Sequence, residues 1–202
     1  IRDGGAEIFY SGEIAEEIAA DVAAHNGLLS LNDLKNYKTV RAEPIWGEYR
    51  GDKVSCGHPP SGGVMMLEML NILEHFDLRS MTHNSADYIT IVAEAMKYAT
   101  IDKDNKMGDP AFDDVPVKDF IDRQQAGHYA HMIRSGEKAN VIRFGEPEES
   151  KDTTHVTVVD EAGNCVSMTH SLGMPSGVVT QGMGFMYNGC MGAFDPRSGR
   201  AA

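Results

Sequence analysis

Apolar residues return at helical spacing over residues 12–25, GEIAEEIAADVAAH, where Ile14, Ile18, Ala19 and Val22 form one stripe and acidic residues take the opposite side. A repeat of three to four residues puts side chains on one side of an α-helix, so this stretch predicts an amphipathic helix stopped by Asn26-Gly27. Ser30 precedes Leu31-Asn32-Asp33-Leu34 and predicts a short capped helix, because a serine oxygen can accept from the unpaired amides of a first turn. Residues 43–56, EPIWGEYRGDKVSC, alternate instead, which predicts a β-hairpin turning at Gly51-Asp52. Ser61 is read as the cap of a second long helix, GGVMMLEMLNILEHF; its Met65, Leu67, Met69, Leu70, Ile72, Leu73 and Phe76 are apolar nearly all round and predict burial. Ser85 opens a third, ADYITIVAEAMKYATIDK, with Ile89, Val92, Ala93, Met96 and Ala99 in helical period and the acids and lysines expected outside.

From Gly108 to Pro116 the chain turns to Asp, Pro and Gly, and residues 135–151 are polar again, with Gly136, Gly145 and Pro147; the second stretch reads as an exposed connection. The period then changes. THVTVVD and NCVSMTH are strand patterns joined by Glu161-Ala162-Gly163, a hairpin signal, so the chain passes from mainly helical to mainly strand at Thr153. Beyond it Gly173, Gly177, Gly182, Gly184, Gly189 and Gly192 interleave with Met, Val, Phe and Tyr, which suits loops and strands packed closely around a pocket.

Bulk composition narrows the partners. The 202 residues, 42% hydrophobic, suffice for a core in one or two domains. A formal charge of -12 with no block of Lys and Arg disfavours nucleic acid and favours small-molecule or protein partners. No apolar run approaches the roughly 18 to 20 residues that cross a bilayer. The first residue is Ile1 and no signal-peptide pattern follows it, which leaves the compartment open. Cys56, Cys165 and Cys190 are odd in number, far apart and without a C-x-x-C pair, so unpaired thiols are expected rather than a disulfide framework or a cysteine zinc site.

Several local motifs carry no chemistry when weighed. Pro59-Pro60-Ser61-Gly62-Gly63 lacks a lysine at P-loop spacing and reads as the structural start of a helix. Ser135-Gly136-Glu137-Lys138 fits S-x-x-K but lies in a polar connection that would not depress a lysine pKa. His128 and His131 have no third ligand, and Asp102, Asp104 and Asp109 lack the glycine and terminal glutamate of a calcium loop, so neither a metal nor a cofactor is expected. On strand physics alone, Thr153 is an ordinary β-branched residue at a strand start.

The stretch THVTVVDEAGNCVSMTHSL, entered through Lys151-Asp152-Thr153-Thr154-His155, resembles the opening of the small subunit of gamma-glutamyltranspeptidases. FYSGEIAEEIAADVAAHNGLLSLNDLKNYK, YRGDKVSCGHPPSGGVMMLEMLNILE, VAEAMKYATIDKD and Gly108-Asp109-Pro110 are similar to further family elements, so the resemblance covers nearly all of residues 6–195. It implies an α+β, four-layer αββα N-terminal-nucleophile hydrolase fold, partial in this chain. Residues 1–152 would be the C-terminal part of a large subunit, mainly helical, and 153–202 the start of a small subunit, strands and Gly-rich loops. The chain would cut itself between Asp152 and Thr153, and Thr153 would then serve as nucleophile and, through its freed amine, as general base. The implied substrate is a gamma-glutamyl amide such as glutathione, with water or an amino acid or peptide as acceptor. The remaining parts of its own two subunits are the implied protein partners, and a periplasmic or secreted location is permitted.

The resemblance also places Ser171 where the family carries a second hydroxyl that contacts the nucleophile's amino end, keeping the donor and acceptor while losing a methyl group. At the positions that hold the donor's α-amino group in typical members stand Gly173, Cys190 and Ala193, none with a comparable acceptor; Asn188 and Asp195 are the nearby candidates for substrate binding. An ammonium buried without acceptors costs roughly 1 to 3 kcal/mol or more. An acylase acting on glutaryl-like or other acyl amides is therefore the alternative within the superfamily, and an unprocessed, non-catalytic binding or scaffold module the alternative outside it. The family's donor-carboxylate arginine would precede Ile1 and its oxyanion-hole amides would follow Ala202, so this segment alone is expected to lack part of the site. His155 is left outside the catalytic set, because strand alternation separates it from Thr154 and the free amine already supplies a base.

Overall fold

The computed structural model describes residues 1–142, 153–173 and 175–190, which pack as two compact units. In one, residues 1–41 join 153–190; the other is built from 42–142.

The first unit begins with helices α1 (Glu7–Tyr10), α2 (Glu13–Ala24) and α3 (Leu31–Asn36). The stripe read on α2 is the packed one: Ala15 and Ile18 are buried with Leu34 of α3, and Phe9, Ile14, Val22, Leu31, Phe185 and Tyr187 close around them. The helix stops where expected, since Asn26 takes a left-handed φ of 58° and the Gly27 amide returns to Val22 O at 2.8 Å. Ser30 caps α3 in a full capping box: its oxygen accepts from Asp33 N at 3.3 Å and its amide donates to Asp33 Oδ2 at 2.8 Å. The unit is completed by an antiparallel pair, β3 (Thr153–Val159) and β4 (Cys165–Ser171), and the glycine-rich loop that follows.

The second unit opens with the expected hairpin, β1 (Ile45–Tyr49) against β2 (Asp52–Cys56). Its two-residue turn is Arg50-Gly51, one position earlier than expected, because both residues take positive φ (53° and 89°) and the Arg50 amide is fixed to Glu74 Oε1 at 2.8 Å. Helices α4 (Gly63–Leu73), α5 (Ala86–Lys106), α6 (Val117–Phe120) and α7 (Arg123–Ser135) follow. One core joins Ile72, Phe76, Ile91, Ala95, Tyr98, Ala126, Ala130 and Ile133; a second joins Ile45, Val64, Leu67, Met107 and Phe120. Among the described residues no helix is long and apolar enough to cross a membrane.

Three expectations are corrected here. Ser61 does not cap α4: the N-cap is Gly62 with no side-chain bond, and the Ser61 amide is spent closing the proline turn onto His58 O at 3.1 Å. The helix is not buried all round either, since Met66 is exposed while Glu68 and Asn71 lie on the packed face. On α5 the packed face is Ile91, Ala95, Tyr98 and Ala99, leaving Ile89 and Met96 about half exposed. The small alanines let α5 approach its neighbours, and Tyr98 stacks on Tyr129 with centroids 4.6 Å apart. This rotation carries two acids inward. Glu94 is met by Lys97 Nζ and the Ala139 amide, each at 2.8 Å, and Asp102 by Lys106 Nζ and Tyr129 Oη, each at 3.0 Å, so their burial is compensated. Glu68 differs: among the described residues no donor reaches either of its buried oxygens, and its neighbour is the Asp102 carboxylate, which can accept a hydrogen bond only from the protonated acid. Burial, then the neighbouring Asp102 carboxylate, pushes its pKa up to about 9, so it is a neutral acid at physiological pH.

Candidate active site

Strand alternation and register build the site. In the β3–β4 ladder Thr153 pairs with Ser171, His155 with Thr169, Thr157 with Ser167 and Val159 with Cys165. Side chains of alternate residues share a face, so Thr153, His155, Thr157, Ser167, Thr169 and Ser171 project from one side of the hairpin. Val156, Val158, Val166 and Met168 project from the other. The turn that fixes this register is Asp160 to Asn164. The Asp160 amide donates to Asn164 O at 3.0 Å, and its carboxylate accepts the Asn164 amide and Nδ2, each at 2.8 Å, which holds that carboxyl below its ordinary pKa.

Register therefore brings together two residues 18 apart in sequence. Thr153 Oγ1 donates to Ser171 Oγ at 3.1 Å, and the same oxygen accepts the Gly173 amide at 3.0 Å. Gly173 can make this bond because its φ of 70° turns the chain back; a Cβ there would be strained and would lie 3.0 Å from Cys190 Sγ. Cys190 in turn donates its thiol hydrogen to Leu172 O at 3.4 Å and its amide to Asn188 Oδ1 at 3.0 Å. Ser171, Gly173, Asn188 and Cys190 thus form one connected surface beside Thr153, with Asn188 held by its backbone bridge to Pro175. Asn188 Oδ1 accepts the Cys190 amide, and an amide oxygen can accept a second bond. Asp152, Ala193 and Asp195 lie outside the described residues.

The hairpin's polar face also carries His155. Being two residues from Thr153, it lies on the nucleophile candidate's face, a consequence that its separation from Thr154 already contained. Its ring does not reach Thr153: Nδ1 bonds Thr169 Oγ1 at 2.9 Å, and Nε2 lies 2.9 Å from Ser167 Oγ and 3.2 Å from Thr157 Oγ1. A hydroxyl ladder therefore holds the imidazole flat along the sheet.

The hairpin thus places an exposed threonine hydroxyl, at the first residue of β3, against a second hydroxyl at the last residue of β4. The sequence matches the family model described as gamma-glutamyltranspeptidase over residues 1–201, and the chain belongs to that family. It is 39% identical over 206 residues to the glutathione hydrolase proenzyme of Escherichia coli (strain K12), covering 98% of this chain and 36% of that protein. It is also 39% identical over 200 residues to the acylase ACY 1 proenzyme of Pseudomonas sp. (strain V22), with the same two coverages of 98% and 36%. Among solved structures, cephalosporin acylase from Bacillus halodurans superposes with a TM-score of 0.73 at 30% identity, over 95% of this chain and 35% of that one. The α+β class expected from the sequence is thus the observed one. The chain spans 36% of the length of the curated relatives it matches first.

Proposed function

We propose that this chain spans the self-cleavage junction of an N-terminal-threonine acyltransferase or amidohydrolase acting on gamma-glutamyl amides. The observation that carries the reading is the Thr153 Oγ1 to Ser171 Oγ hydrogen bond at the start of β3. A hydroxyl that donates gains electron density on its own oxygen, and the ladder fixes that oxygen at the end of the polar connection.

In cleavage, Thr153 Oγ attacks the Asp152 carbonyl carbon. The Asp152–Thr153 C–N bond breaks, the hydroxyl proton passes to the departing nitrogen, and an ester remains between Asp152 and Thr153 Oγ. Water adds to that ester, leaving a carboxyl end at Asp152 and a free amine and hydroxyl at Thr153. Such an amine has an unperturbed pKa of about 7.7 to 8.0, so near neutral pH a usable fraction takes the hydroxyl proton in each turnover. The donor amide then acylates Oγ and releases its amine, and water or an acceptor amine removes the acyl group. Residues 1–152 and 153–202 would become parts of the large and small subunits, completed by further segments of each.

A second reading, an acylase for glutaryl-like acyl groups, is favoured by one contact: Cys190 Sγ fills the space beside Gly173, so a thiol rather than a carboxylate meets the donor there. Gamma-glutamyl and glutaryl anilides at equal concentration separate the two. A clear preference for the glutaryl compound supports the acylase; a clear preference for the gamma-glutamyl compound removes it. The parent reading is tested by intact mass: wild-type protein should yield a chain that begins at Thr153, and Thr153→Ala should not.

A further inference from the structure

The glycine-rich loop beside Thr153 is tied to helix α2 by a partly buried polar relay centred on Thr180. Thr180 is 6% exposed, and its Oγ1 lies 2.6 Å from Asp21 Oδ2 and 2.7 Å from the Tyr187 hydroxyl. A hydroxyl has one hydrogen and a carboxylate has none, so the directions are fixed: Thr180 donates to Asp21, and Tyr187 donates to Thr180. The relay ends on a charge, which makes its last bond stronger than a neutral one. His25 Nδ1 lies 3.2 Å from the other Asp21 oxygen.

Apolar contacts second this anchor. The Tyr187 ring meets Phe185 edge-on at 5.7 Å, and Phe185 lies 6.0 Å from Phe9 of the α1–α2 cluster. From Tyr187 the connections run back to the site without a break. Its carbonyl accepts Ser176 Oγ at 2.7 Å and its amide donates to Val178 O at 3.0 Å, which pairs the two limbs of the loop. Next along the chain is Asn188, which bridges Pro175 and accepts the Cys190 amide; Cys190 packs on Gly173, and Gly173 donates to Ser171.

We propose that Asp21 and Thr180 are positioning residues that set the donor-side wall of the site, the surface of Gly173, Asn188 and Cys190, through Tyr187. The proposal rests on Thr153 being the nucleophile. It predicts a divided effect. The Thr153–Ser171 pairing is made by the β3–β4 ladder itself, so the attacking oxygen stays in place when the loop shifts, whereas the wall that meets the acyl donor does not. Asp21 precedes the cleavage point and Thr180 follows it, so in the processed protein the relay would join the two subunits.

The test uses the intact protein with Thr180→Val, Thr180→Ser and Asp21→Asn, after wild type has been shown to yield a chain beginning at Thr153; an uncut wild type overturns the parent reading and this one with it, whereas a cut wild type leaves the KM comparison to decide this one alone. Thr180→Val keeps the shape and removes the relay. It should still be cleaved, with KM for the acyl donor raised about tenfold and kcat within about threefold, as expected for losing a charge-assisted bond. Thr180→Ser should restore KM to within about twofold. An unchanged KM in Thr180→Val, or a defect that serine does not rescue, overturns the proposal. If Thr180→Val does not fold, Asp21→Asn decides: a KM raised about threefold supports it and an unchanged KM overturns it.

Discussion

The helices α4, α5 and α7 and the hairpin β3–β4 are held by different forces. In the helical core Ala95 and Ala130 are at 0% exposure and Ile72 likewise, so stability there comes from apolar area removed from water and from close packing. In the hairpin all seven residues of each strand are exposed, and the ladder and its turn set the geometry. A core residue is replaceable by another of similar volume. A residue on the ladder's polar face is fixed by register, and a shift by one position would send Thr153 to the opposite face from Ser171. Chemistry that needs two hydroxyls about 3 Å apart is therefore better placed on the ladder than in the core.

This contrast can be broken at either end. The larger effect is expected from Ser171→Ala. It removes the acceptor of the Thr153 and Gly173 bonds at an exposed position, so cleavage at Thr153 should slow on the order of a hundredfold, equivalent to about 2.7 kcal/mol of barrier, while Tm changes little. Timed mass spectrometry and a melting curve on one sample check both. A Tm drop as large as that of a core truncation, with normal cleavage, would place Ser171 among the structural residues.

The smaller effect belongs to the core. Glu68 has its pKa raised from 4.5 to about 9, so between those values the folded state holds a proton that the unfolded state has released. Stability from this group is then full below about pH 4.5 and is lost as pH rises towards about 9. The groups facing it are Asp102, Lys106 and Tyr129, whose own hydroxyl is pushed up to about 12, first by burial. Glu68→Gln cannot ionise. It should flatten the fall in Tm between about pH 5 and 9 and raise Tm at pH 8 by a few degrees, on the order of 2 to 5 °C, leaving cleavage at Thr153 unaltered. Melting curves across that range check the slope; a variant as pH-sensitive as wild type would contradict the burial account.

The parts legible in the sequence are those with a local cause. Ser30 and Asp33 are three residues apart and cap α3; Asn26-Gly27 stops α2; the alternation after Thr153 gives β3 and β4. Periodicity on α5 found the helix and its buried Ala99 but also put Ile89 and Met96 on the packed face, because they are as hydrophobic as Ile91 and Tyr98 and only the partners decide which set is covered. The candidate pair Thr153 and Ser171 is reached through family resemblance, whereas alternation is used to set His155 aside although the same alternation puts it on the face of Thr153. The link from Asp21 to Thr180 crosses 159 residues and has no periodic signature, since a threonine in a glycine-rich stretch looks like any other until the chain folds.

The central claim is that the Thr153 hydroxyl, held against Ser171, cuts the chain before itself. Mass spectrometry of the intact wild-type protein and of Thr153→Ala, incubated side by side after folding, tests it most directly. The account predicts a fragment beginning at Thr153 from wild type and an uncut chain from the variant; an uncut wild type, or the same fragment from Thr153→Ala, would contradict it.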